Sequence, residues 1–124
     1  MEIVEYCTLD REDAKNRLKI FNAKNNATSL SVLPIGARLH INGVMALKGV
    51  RSQTDEVCQN TYLFTDDGQV YFSQSRGIAK VANDIVDLVD MNFSVNTFAG
   101  YVVVELAELP TKNGVMKTLK VLEV

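Results

Sequence analysis

The chain has 124 residues, 47% of them hydrophobic and 23% charged, which are globular values that exclude wholesale disorder. The length suits one domain around one core, and no apolar run approaches the length of a membrane helix. The net charge of -2 does not by itself point to a polyanion, yet the charges are segregated: no Asp or Glu falls between Ala14 and Thr54, a window that holds Lys15, Arg17, Lys19, Lys24, Arg38, Lys48, Arg51 and the single histidine, His40.

Met1-Glu2-Ile3-Val4-Glu5 lacks the basic start and apolar run of a signal peptide, so a cytoplasmic protein is expected. Residues 1–35 read as an N-terminal extension. Thr8 to Asp13 resembles a helix start, and Ala14, Leu18 and Phe21 follow at helical spacing. Leu18 to Phe21 fits a short strand equally well. Asn22 to Ser29 is polar and reads as a loop, and Pro34 and Gly36 mark a boundary. Arg38 to Val50 is then a long strand in which Leu39 and Ile41 alternate with Arg38, His40 and Asn42. Gly43 inside that run signals a bulge or sharp bend, while Asn42-Gly43 is also a hairpin signal that would split it in two. Lys48 to Glu56 leads to the second strand.

The clearest local signal is the hairpin Tyr62 to Phe72. Asp67-Gly68 reads as a two-residue turn, which pairs Phe64 with Tyr71, Leu63 with Phe72 and Tyr62 with Ser73. Side chains alternate across a strand. Leu63, Thr65, Val70 and Phe72 then share a core face, and Tyr62, Phe64 and Tyr71 stand together on the other. A helix is predicted over Arg76 to Asp90, with Ser75 as N-cap. Ile78, Val81, Ala82, Ile85, Leu88 and Val89 form its apolar stripe, and Lys80, Asn83, Asp84, Asp87 and Asp90 face outward. The fourth long strand lies within Ala99 to Glu108 and ends at Pro110. Lys112-Asn113-Gly114 is a turn, and Met116 to Val124 is the last strand. The order β-β-β-α-β-β is that of the OB-fold, a mainly β, five-stranded Greek-key barrel that commonly binds single-stranded nucleic acid or oligosaccharides. Residues 1–124 are expected to form a single such domain.

Sequence-tolerant binding of single strands needs flat π faces for bases and cations for phosphates. Tyr62, Phe64 and Tyr71 are the candidate faces. Arg38, Lys48 and Arg51 lie on the first long strand and the loop after it, Lys112 lies in the last turn, and Arg76 lies just past the third strand. The plainer readings are cross-strand packing of the aromatics under another segment or in a dimer interface, and a solvated basic surface. Phe21, Phe93 and Phe98 are read as core or carry no assignment, and His40 is read as a surface residue on the basic strand, with a phosphate contact as the lesser reading. Enzyme readings are poor. One histidine makes no metal cluster, and Cys7 and Cys58 have no metal or redox spacing and read as reduced thiols. No Gly-rich phosphate loop or nucleophile motif is present, and Asp66 and Asp67 fit a turn. Neither cofactor nor metal is expected.

Three stretches carry a family resemblance. They are Leu18-Lys19-Ile20-Phe21-Asn22-Ala23-Lys24-Asn25-Asn26 with Leu30-Ser31; Leu63-Phe64-Thr65-Asp66-Asp67-Gly68-Gln69-Val70-Tyr71 with Ser75-Arg76-Gly77-Ile78; and Lys112-Asn113-Gly114 with Leu119-Lys120-Val121-Leu122-Glu123-Val124. In that order they resemble the small single-stranded-DNA-binding proteins of bacteriophages that infect Gram-positive bacteria. Arg51 to Asn60 departs from that pattern in lacking an acidic, proline-containing stretch. The resemblance implies an OB-fold and a protein that coats single strands during phage genome replication or recombination in the host cytoplasm. Single-stranded DNA is the expected partner, and replication or recombination proteins and further copies of the chain are open candidates. From the residues alone, an OB-type protein-interaction adaptor and an RNA-binding OB domain stay open, because base stacking is common to DNA and RNA.

Overall fold

β-branched and aromatic runs separated by turn residues build one mixed sheet. The computed structural model describes residues 3–9, 11–50, 54–89 and 102–123. Its strands are β1 (Ile3–Cys7), β2 (Thr28–Ser29), β3 (Arg38–Val50), β4 (Val57–Thr65), β5 (Val70–Ser73), β6 (Val102–Thr111) and β7 (Gly114–Glu123). Its helices are α1 (Ala14–Asn26) and α2 (Arg76–Val89), with a 3₁₀ turn at Leu30–Val32. The sheet order is β2-β5-β4-β3-β6-β7, and β1 lies along β3.

β3 spans the residues expected of the first long strand and is a single strand, not a hairpin. Its ladder with β4 shifts register between Ile41 and Gly43, which is the expected bulge. Its first part pairs with β6, from Arg38 opposite Glu105 to Ile41 opposite Val102. Past the bulge, Met45 to Lys48 pairs with β1 instead. One bent strand thus serves two neighbours, and the sheet curls around α2, which packs against β3, β4 and β7. Ile78, Ala82, Ile85 and Val86 of α2 are fully buried against Ile41, Val44, Leu63, Val104 and Leu106 of the sheet. Each large aliphatic side chain so enclosed favours the fold by about 1.5–3 kcal/mol over its exposed state. Ser75 caps the helix: the Ile78 amide donates to its hydroxyl at 3.4 Å. Asn83, Asp84 and Asp87 are exposed as expected.

Three expectations are corrected. Of the two readings of the N-terminal segment the helical one holds, capped by the Asp13 carboxylate accepting from the Lys15 amide at 2.8 Å, but the helix runs on through Asn22–Asn26, which read as loop. Its buried side is Ala23 with Ile20 half-buried, while Leu18 and Phe21 of the predicted stripe point to solvent. Ala23 packs with Met45, Leu47, Tyr62 and Phe64 of the sheet. β1 was not foreseen, since five residues at a terminus carry little pattern. Pro110 does not end its strand: it sits in the β6–β7 ladder opposite Val115. Among the described residues β6 at that point has no partner on its other side, and an edge position tolerates the missing amide. Asp90, Phe93, Phe98 and Ala99–Tyr101 lie outside the described residues.

Candidate nucleic-acid interface

The β4–β5 turn decides which aromatics share a face. The Thr65 amide donates to the Gln69 carbonyl at 3.0 Å, and the Gly68 amide to the Thr65 carbonyl at 3.2 Å. Gly68 has φ of +87°. This is a three-residue loop with glycine in the left-handed position, and not the expected two-residue turn. The Asp67 carboxylate closes it, bonded by the Thr65 hydroxyl and by the Gln69 amide at 3.2 Å. Those two bonds hold the Asp67 carboxyl below its usual range.

One extra loop residue shifts the ladder by one, and a one-residue slip turns a strand's side chains over. Tyr62 pairs with Phe72, Leu63 with Tyr71 and Phe64 with Val70. Tyr71 therefore lies on the α2 side, packed against the main core. Tyr62 and Phe64 occupy the opposite face with Val70 and Phe72, roofed by Ala23 and Ile20 of α1 and by Leu9. They are 7% and 4% exposed. The expected open platform of Tyr62, Phe64 and Tyr71 is corrected on both counts: the three do not share a face, and two of them are covered.

Of the five basic candidates, Arg38, Lys48, Arg76 and Lys112 are described, and these four are at the surface. Arg38 begins β3 and pairs with Glu105 of β6 at 3.4 Å. Lys48 is exposed on β3 opposite Gln59. Arg76 opens α2 and forms an ion pair with Glu56. Lys112 is exposed in the β6–β7 turn. Arg51 lies outside the described residues. The first turn of α2 links two hairpins, since Arg76 reaches Glu56 ahead of β4 while the Ser75 hydroxyl donates to the Lys117 carbonyl in β7 at 3.1 Å. Lys112 lies in the turn of the second of these hairpins. His40 Nδ1 lies 3.5 Å from the Asp66 carboxylate, on the flank of the β4–β5 turn. Beside the same helix, the Tyr6 hydroxyl donates to Asn83 Oδ1 at 2.7 Å, and Gln59 Nε2 donates to that oxygen at 3.2 Å. Burial raises the Tyr6 phenol well above its ordinary range.

The outer side of α1 went unrecognised in the sequence. Phe21 is 62% and Leu18 60% exposed there. Among the described residues Phe21 is the only exposed aromatic. A groove of about 300 Å³ is lined by Arg11, Arg17, Ile20, Phe21 and Lys24. The Arg17 guanidinium donates to the carbonyl of Glu12 at 3.0 Å, which anchors it at the helix start. The available signal was spacing: Arg17, Phe21 and Lys24 are four and three residues apart, which is one helix face.

Among the described residues no group of His, Cys, Asp and Glu could hold a metal ion, and no helix is long and apolar enough to cross a membrane. No solved structure matches the chain well enough to count as similar. The chain is 32% identical over 85 residues to the single-stranded DNA-binding protein of Bacillus phage phi29, a match covering 66% of this chain and 68% of that one. It is 31% identical over 94 residues to the protein of the same name from Bacillus phage B103, covering 73% and 76%. With residues 1–120 matching the family described as phage single-stranded DNA-binding protein, the chain belongs to that family.

Proposed function

We propose that this protein coats single-stranded DNA, with little sequence preference, during phage genome replication or recombination in the host cytoplasm. It acts as a binding protein and not as an enzyme. The reading rests on the family match over residues 1–120. What supports it in the structure is the exposure of Lys15, Arg17, Lys19, Lys24, Arg38 and Lys48, all from a segment with no acid of its own. Local field, not net charge, steers a polyanion, so a total of -2 is no obstacle.

We read β3-β4-β5-α2-β6-β7 as an OB-type barrel, and residues 1–124 as one domain in which β1, α1 and β2 are an extension laid on the barrel. In OB-folds the loops after the first and fourth barrel strands flank the ligand. Here those loops are the ones after β3 and β6. Arg38, Lys48, Arg51, Arg76 and Lys112 are the proposed phosphate track. Replication or recombination proteins and further copies of the chain are candidate partners on the bound strand.

The test is a titration of labelled oligo-dT and of duplex of equal length, side by side, over a range of salt. Preference for the single strand is expected, with log K falling against log salt by about 0.7 per phosphate neutralised. Equal affinity for both forms, or affinity indifferent to salt, overturns the reading.

A further inference from the structure

We propose that the outer face of α1 is itself a single-strand contact, in which Phe21 stacks on a base while Arg11, Arg17 and Lys24 hold the neighbouring phosphates. The inference rests on the reading of the protein as a single-strand binder and says where the bases go.

With Tyr62 and Phe64 roofed and Tyr71 half-buried against the main core on the other face, the β4–β5 hairpin offers no open aromatic platform. Phe21 is the one described aromatic in the open, 62% exposed. Among the described residues neither hydrophobic cluster includes it. α1 docks through Ala23 and Ile20, so a polar residue at 21 would serve the helix as well. Around it the groove of about 300 Å³ is walled by three cations and Ile20. A π face beside cations is the combination that sequence-tolerant single-strand binders use, the ring taking any base and the cations tracking the backbone. Arg17 is held in place by its bond to the Glu12 carbonyl, which leaves the other guanidinium nitrogen atoms for a phosphate.

The charge pattern selects this occupant over a second copy of the chain. From Ala14 to its last residue α1 has four cations and no acid. Two such faces pressed together repel each other, whereas a polyanion is attracted. Glu12 and Asp13 stand just before the helix in the sequence, and the Asp13 carboxylate is engaged as the helix cap.

The chain has no tryptophan, so Phe21→Trp places a lone indole reporter on this face. Its emission should be quenched as oligo-dT binds. Phe21→Ala should weaken oligo-dT binding by about 5-fold to 150-fold, the usual worth of one stacked base, with the far-UV spectrum unchanged because the side chain is exposed. Arg17→Glu with Lys24→Glu should lower the salt slope by about 1.4, two phosphates' worth. Anisotropy of labelled oligo-dT separates the two levels of the reading. If the unaltered protein fails to bind, the proposed function falls. If it binds to saturation while the Phe21→Trp emission stays constant and Phe21→Ala keeps full affinity, this inference alone is overturned. A Phe21→Ala variant that loses self-association in sedimentation yet keeps its affinity per chain would also overturn it, marking the face as an interface between copies.

Discussion

The rings of Tyr62 and Phe72 face each other across β4 and β5, centroids 5.4 Å apart and planes tilted by 43°. They lie under α1, beside Phe64, Met45 and Leu47. This is a second hydrophobic cluster on the face of the sheet opposite α2. Phe64→Ala should therefore act on stability first, costing about 3–5 kcal/mol as a buried large-to-small change. Urea unfolding of the variant should show that loss. A variant as stable as the parent would mean that α1 does not hold this cluster closed in solution.

How much of this was legible depends on the length of the pattern. β3 was readable over its full span, and α2 with its Ser75 cap was readable because fourteen helical residues repeat a stripe several times. The β4–β5 register was not. Asp66-Asp67-Gly68 fits a two-residue or a three-residue turn, and only the left-handed Gly68 with Thr65 opposite Gln69 tells them apart. That single residue moved Tyr71 to one face and left Tyr62 and Phe64 on the other, so the expected platform failed through a turn as well as through the cover that α1 and Leu9 lay over those two rings. The docked face of α1 was missed for a different reason. Its contact line is Ala23 with the half-buried Ile20, too short and too small a pair to give a hydrophobic period to read. The basic candidates were legible as exposed residues because charged side chains seldom lie elsewhere.

Gly77 lies so close to β7 that a Cβ on it would meet the Lys117 carbonyl oxygen at 2.3 Å and Met116 at 3.2 Å. Alanine is normally better than glycine in a helix, but here the obstacle is backbone and cannot turn aside. Gly77→Ala should push the start of α2 off β7 and destabilise the protein by about 1–3 kcal/mol, as overpacking does. Thermal unfolding should show a lower midpoint. A raised midpoint would mean that the helix start is not seated on β7.

Charge reversal should sort the basic track. Arg38 and Arg76 each face an acid, Glu105 and Glu56, and such exposed pairs contribute roughly 0–1 kcal/mol to stability. Arg76→Ala should therefore leave unfolding nearly unchanged. Lys48→Glu and Lys112→Glu should weaken oligo-dT binding for all sequences alike and reduce the salt slope by about 0.7 each. Slopes equal to that of the parent would remove these lysines from the track.

Tyr6 ties β1 to α2 through Asn83, and its pKa direction gives a pH signature. Burial disfavours the phenolate, so the folded state holds this proton more tightly than the unfolded chain does. A group whose pKa is raised on folding stabilises fully below its unfolded value, which for tyrosine is about 10. As pH climbs past that value the unfolded chain releases the proton while the folded protein must keep it, and stability falls. Unfolding free energy should thus be free of this contribution's slope below about pH 10 and decline above it. Tyr6→Phe should flatten that alkaline decline. At neutral pH it should cost only about 0.5–1.5 kcal/mol, because Gln59 still donates to the Asn83 oxygen. An alkaline decline of the same steepness in Tyr6→Phe and in the parent would show that Tyr6 ionises as freely in the folded protein as in the unfolded one.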